Sequence, residues 1–143
     1  MQEVNFDEML DAIVERDPRF QRDAYHFVRE ALDYTQKLIS KENKGNVRHI
    51  TGQELLGGLR QYALHQYGPM TSTLLEEWGI RTCGHFGEIV FNMVETGLLA
   101  KTEKDTRDDF QTGYDFVDAF QKPYWPQAKL VAEIPTAINP PTP

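Results

Sequence analysis

Cys83 and His85 are the first residues in this chain whose types and spacing suggest chemistry. They stand two apart at the head of "TCGHFGEIVFNMVETG", a stretch that reads as a helix opening at Thr82. A thiol at a helix N-terminus can have a lowered pKa, which would favour a nucleophile or a metal ligand. A zinc site, however, needs three or four protein ligands, and Cys83 is the sole cysteine. Side chains two apart in a first helical turn diverge, so a Cys-His nucleophile pair is disfavoured. The bland reading, a buried or half-exposed thiol, is preferred. The other histidines, His26, His49 and His65, are scattered. Carboxylates come as the adjacent pairs Asp7/Glu8, Glu76/Glu77 and Asp108/Asp109, which suit solvated faces. The chain has no G-x-S-x-G, P-loop or G-x-G-x-x-G pattern. Tyr25, Phe27, Tyr34, Tyr62, Tyr67 and Trp78 read as core and groove lining rather than a cofactor box. No catalytic, metal or cofactor-binding residue is therefore expected, and the chain does not read as an enzyme.

Composition narrows the remaining classes. The chain has 143 residues, of which 40% are apolar and 26% charged, as in one soluble domain. No apolar run is long enough to span a bilayer, and the acidic start "MQEVNFDEML" does not resemble a signal peptide. With one cysteine no intrachain disulfide is possible, and a cytoplasmic location is the expectation. The formal charge of −7 repels a phosphate backbone unless basic residues gather on one face.

The elements that must position these residues are mostly helical. Residues 4–15 carry Phe6, Met9, Leu10, Ile13 and Val14 at helical spacing, with Asn5 and Glu8 as a capping box and Val4 and Met9 as a staple. A long helix is expected from Asp17 and Pro18, with Phe20, Ala24, Phe27, Val28, Ala31, Thr35 and Leu38 on its buried face. "NKGNVRH" ends it in a basic, polar loop. A third helix opens on a Thr51–Glu54 capping box, and its Gly57-Gly58 pair predicts close packing against a neighbour. A short fourth helix is capped by Thr71 or Ser72 and stopped by Gly79. The fifth runs from Thr82 to Gly97 with Phe86, Ile89, Val90, Met93 and Val94 inward. These four core positions Phe86, Ile89, Val90 and Met93 should face Leu55, Leu59 and Leu74. A strand is expected at 98–103, and the aromatic return through Phe110, Tyr114, Phe116 and Phe120 is a second strand or a helical turn. From Pro123 onward the chain holds six of its eight prolines and reads as an extended tail. The expected organisation is a helical pair at 1–50, a module at 51–122 and a Pro-rich tail at 123–143.

The element order of residues 51–120, with "VETGLLAKTE" at the turn from helix to strand, resembles a winged-helix domain. That resemblance implies a mainly α fold with a small β-hairpin, the helical N-terminal layer packed on a winged-helix-like core. The chain as a whole also resembles a small family of bacterial proteins of uncharacterised function, which implies no activity. Where winged-helix domains grip DNA, the helix 83–96 would offer basic and amide side chains to the groove. Here that helix has Glu88 and Glu95 and no Lys or Arg. The nucleic-acid contacts available would be Arg81, His85, Asn92, Lys101, Lys104 and Arg107. Residues 81–109 nevertheless carry four basic and six acidic side chains. Nucleic acid is therefore a disfavoured partner, although a dimeric DNA-binding regulator stands as the alternative. The basic group Lys37, Lys41, Lys44 and Arg48 suits a solvated helix C-terminus. The favoured expectation is a protein-interaction or adaptor module, bound to a protein partner or to a second copy. Its contact residues would be Tyr124, Trp125, Leu130, Val131 and Ile134 in the tail, with 128–134 long enough to add a strand to a partner's sheet edge.

Overall fold

The computed structural model describes residues 2–42, 44–45, 50–99 and 107–126. Five α-helices carry the fold: α1 Gln2–Arg16, α2 Arg22–Glu42, α3 Gly52–Tyr67, α4 Thr71–Glu77 and α5 Cys83–Glu95. A 3-10 turn, Gly68–Met70, links α3 to α4. The C-terminal part adds a 3-10 turn at Arg107–Phe110, a π-helical turn at Val117–Gln121 and a 3-10 turn at Lys122–Tyr124. The fold is mainly α, as the apolar periodicity implied.

The helix α2 is the central member. It has 21 residues, about 31 Å at the usual rise. Its buried stripe, Ala24, Phe27, Val28, Ala31, Thr35 and Ile39, meets α3 on one side and α1 and α5 on others. Phe6, Leu10 and Ile13 close the core from α1. Leu55, Leu56, Leu59 and Ala63 do so from α3, and Phe86, Ile89 and Met93 from α5. Val90 is only half-buried. Two positions are one residue off the expected register. Ile39 is buried rather than Leu38, and Leu75 rather than Leu74. In both cases two adjacent apolar residues compete for one inward position, and periodicity alone does not choose between them.

The α2–α3 contact depends on Gly58. A Cβ there would collide with the Thr35 side chain, whereas one on Gly57 would meet nothing within 4 Å. The close approach expected of the glycine pair is thus made by one of them. Thr35 is held in place by donating its hydroxyl to the Ala31 carbonyl at 2.7 Å.

Helix starts divide into those that keep their expected caps and those that do not. Thr51 and Glu54 form the full capping box, at 3.1 and 3.0 Å. The Thr82 hydroxyl accepts from the His85 N–H at 3.3 Å. By contrast, α1 already runs from Gln2, with no Gly or Pro ahead of Asn5 to break it, so Asn5 is inside the helix and not its cap. Asp17 does not cap α2 either. Its N–H donates to the Ile13 carbonyl at 2.8 Å, ending α1, and α2 opens five residues later. At α4 no side chain caps the first turn, and the buried Thr71 hydroxyl donates instead to the Ala63 and Gly68 carbonyls. Gly79 and Gly97 end their helices at φ of 96° and 88°, the left-handed geometry expected of them.

The β-hairpin needs correction. Among the described residues there is no strand. Leu98 and Leu99 lie in a turn after α5, and 100–106 lie outside the described residues. The return segment is helical turns, so the hairpin of a winged helix is not formed there. The cause is local. Asp115 Oδ2 accepts from the Val117 and Asp118 N–H groups at 3.0 and 3.2 Å and starts a turn where a strand would have to continue. The aromatic side chains then enter the helical core. Phe110 packs against Phe91, Phe116 against Phe86, and Phe120 against Phe116 and Tyr114.

Candidate functional site

Cys83 and His85 sit in different surroundings. Cys83 is 4% exposed, and its Sγ donates to the Tyr114 carbonyl at 3.4 Å. Burial pushes the thiol pKa up, with the hydrogen bond to Tyr114 opposing it. The helix N-terminus does not make this a ready thiolate. His85 is half-buried, its ring edge-on to Phe20 at 5.4 Å and its Nδ1 accepting from the Arg81 N–H at 3.0 Å. Burial, then the Arg19 and Arg81 charges, push its pKa down and favour the neutral ring. Among the described residues no three His, Cys, Asp or Glu side chains gather as a metal site would need.

The polar stripe of α5 is His85, Glu88, Asn92 and Glu95, spaced 3, 4 and 3 along one helix face. It faces the turn between α1 and α2. Asn92 is 6% exposed and its Nδ2 donates both to Asp17 Oδ2 and to the Tyr25 hydroxyl, each at 3.0 Å. Arg19 grips Asp17 with two nitrogens, at 2.8 and 2.6 Å, and reaches Glu88 at 3.5 Å. Arg16 pairs with Glu95 at 3.7 Å. The Arg19 hydrogen bonds, helped by Asn92 and opposed by desolvation, hold the Asp17 carboxyl well below the usual carboxylate range. The face that would read a DNA groove is therefore occupied by the protein's own α1–α2 turn.

This settles where the candidate contacts lie. Asn92 is inside the molecule, and His85 is half-covered. Arg81 is exposed in the loop before α5. Lys101 and Lys104 lie outside the described residues, and Arg107 opens a 3-10 turn. Arg81 does not share an open face with Asn92, which is buried. Asp17, Arg19 and Tyr25 were absent from the expected site. The available signal was Asn92 itself, an amide at a position flanked by Phe91 and Met93 in an apolar helix.

The tail residues tell a different story. Tyr124 and Trp125 are 43% and 50% exposed, so they are presented to solvent rather than used as anchors in the core. Two further large apolar side chains are exposed, Met70 at 60% and Val117 at 37%. These four come from segments in contact. Gln121 Nε2 donates to Ser72 Oγ at 3.0 Å, and the Tyr124 hydroxyl lies beside Gly68, where a Cβ would meet it at 4.0 Å. Lys122 is tied back to Asp118 at 2.7 Å. Met70 and Val117 carried no helical-stripe signal because both stand at the ends of short turns. Leu130, Val131 and Ile134 lie outside the described residues. Among those described, no helix is long and apolar enough to cross a membrane. No protein-family model, no curated protein and no solved structure matches this chain.

Proposed function

We propose that this protein is an interaction module that associates with a second copy of itself through the base of its C-terminal tail. One observation carries the reading. The exposed large apolar side chains Met70, Val117, Tyr124 and Trp125 stand on turns that touch one another, with Trp125 next to Pro126. An apolar, aromatic patch of this kind is what a contact centre presents. The occupant is argued from the chain itself. Beyond Pro126 come 17 residues, with the apolar positions Leu130, Val131 and Ile134 in their first half. Trp125 is extended at ψ 152° and is followed by proline. Gln127, Ala128 and Lys129 include none of the common turn formers, which disfavours an immediate return to the same copy. The 128–134 run therefore suits the patch of a second copy. Because no strand edge is described, the contact proposed is side chain into patch rather than strand addition.

DNA binding, the alternative, would need basic residues from Lys37, Lys41, Lys44, Arg48, Arg81, Lys101, Lys104 and Arg107 to converge, and it loses Asn92 as a base contact because that side chain is buried. No observation favours that reading over self-association. Sedimentation across the micromolar range tests the proposal. The full chain is expected to dimerise with concentration, and removal of 127–143 or the pair Met70→Glu and Trp125→Ala is expected to leave a folded monomer. A full chain that stays monomeric throughout overturns it.

A further inference from the structure

The start of α5 is tied back to the loop before it in two directions. The His85 N–H donates to the Thr82 hydroxyl at 3.3 Å, the usual contact of a helix cap with the third helical residue. In return the His85 ring reaches past the cap, and its Nδ1 accepts from the Arg81 N–H at 3.0 Å. The plan is close to the capping box of α3, where Glu54 accepts from the Thr51 N–H at 3.0 Å. The acceptor differs in one respect. A carboxylate accepts throughout the range above about pH 4, whereas an imidazole nitrogen accepts only while the ring is neutral. Because Nδ1 is the acceptor, the neutral ring carries its proton on Nε2.

The surroundings are set against a charged ring. His85 lies in the first turn of α5, where the helix dipole disfavours a cation. Arg81 adjoins it in the loop. Arg19 comes from the α1–α2 turn, its guanidinium 5.0 Å from the centroid of the Phe20 ring that His85 meets edge-on. Glu88 is the acidic group felt at the imidazole, and Arg19 draws on it at 3.5 Å. Asp17 is gripped by Arg19. The α1–α2 turn also holds the 78–82 loop. Gln21 donates its N–H to the Trp78 carbonyl at 3.1 Å and its Nε2 to the Glu77 carbonyl at 3.2 Å. A Cβ on Gly79 would collide with the Arg19 carbonyl. His85 therefore stands where α5, the 78–82 loop and the 17–21 turn meet.

We infer that His85 is an acid-sensitive latch: protonation of its Nδ1 releases the Arg81 N–H and loosens the 78–82 loop from the start of α5. The imidazolium is a donor at both nitrogens, so Nδ1 then meets a backbone donor with a second donor. The sign follows from the surroundings. Burial first, then Arg19 and Arg81, hold the folded ring below its ordinary value near 6.5, with Glu88 opposing them. The stability that the latch contributes is fully present above that ordinary value and is lost as pH falls through the folded one. The latch does not use the tail patch and is independent of self-association.

The test uses nuclear magnetic resonance of the full chain between about pH 8 and pH 4, the span that brackets an imidazole titration. The ring nitrogen shifts of His85 report its tautomer and its titration. Solvent exchange of the Arg81 amide, corrected for the intrinsic pH dependence of exchange, reports the latch. The neutral ring is expected to be protonated on Nε2. Arg81 protection is expected to fall about two- to tenfold, the worth of one hydrogen bond, along the ring's own titration curve. His85→Asn sets a non-titrating amide oxygen where Nδ1 stands and keeps the Thr82 cap, so Arg81 protection should no longer depend on pH. Glu88→Gln leaves the latch in place and removes the acidic group, so ring titration and Arg81 release should move together to lower pH. A neutral ring protonated on Nδ1, Arg81 protection that stays constant through the ring's titration, or the same pH dependence in His85→Asn would each overturn the inference.

Discussion

Asn92 shows how a single polar side chain can look like a reader of DNA and act as a structural clamp. Its type was legible in the sequence, as an amide on an otherwise apolar helix. Its partners were not, because Asp17 is 75 residues away in a turn whose aspartate had every sign of a helix cap. A cap and a clamp use the same carboxylate, and only the tertiary fold selects one. Replacing Asn92 with alanine leaves the buried Tyr25 hydroxyl without that donor and opens a small gap. A loss of about 1–3 kcal/mol is expected, read as a lower denaturant midpoint with unchanged slope. Asp17 gives a pH signature. Its folded carboxyl has a depressed pKa, so its contribution is fully present above the unfolded carboxylate value near 4. That contribution is lost as pH falls through the folded value. Asp17→Asn should therefore flatten the decline of stability between about pH 4 and the acid limit. An unaltered acid profile would remove the Arg19–Asp17–Asn92 clamp from the account.

The helices were the most legible elements, since α2, α3 and α5 each carry a stripe at a 3.6-residue period between clear stops. The return segment was the least legible. Phe110, Tyr114, Phe116 and Phe120 are spaced 4, 2 and 4, which puts them on one face of a strand and so favours the wrong element. The Asp115 cap was a readable signal, but it lay between two aromatic residues that drew the strand reading. With no described strand beside it, the segment satisfies its backbone through turns and sends its rings into the groove between α3 and α5. The Gly57-Gly58 pair separates propensity from packing within one helix turn. Gly57→Ala is expected to stabilise α3 by about 0.4–1 kcal/mol, because it is exposed and its added Cβ meets nothing. Gly58→Ala should cost about 1–3 kcal/mol, because Thr35 and its helix must move. Thermal melts of the two variants check this. Equal shifts would mean that α2 and α3 do not pack as described.

At the scale of the whole molecule, the acidic charge, the internally satisfied α5 face and the apolar patch at the tail base point in one direction. Asn92 is committed within the fold, whereas the large apolar side chains Met70, Val117, Tyr124 and Trp125 are left exposed. The patch was half legible. Tyr124 and Trp125 stood out in the sequence, but Met70 and Val117, on short turns, did not, and it is the packing of the C-terminal turns against α4 that brings their segments together. Self-association through this patch is the central claim, and it has a direct test. A sample mixing isotope-labelled with unlabelled full-length chains reports only contacts between copies in a filtered nuclear Overhauser experiment. The expected result is interchain contact from the Leu130, Val131 and Ile134 methyls to the Trp125 ring and the Met70 methyl. Contacts from those methyls to Trp125 and Met70 of their own chain alone, or none at all at concentrations that favour association, would contradict it.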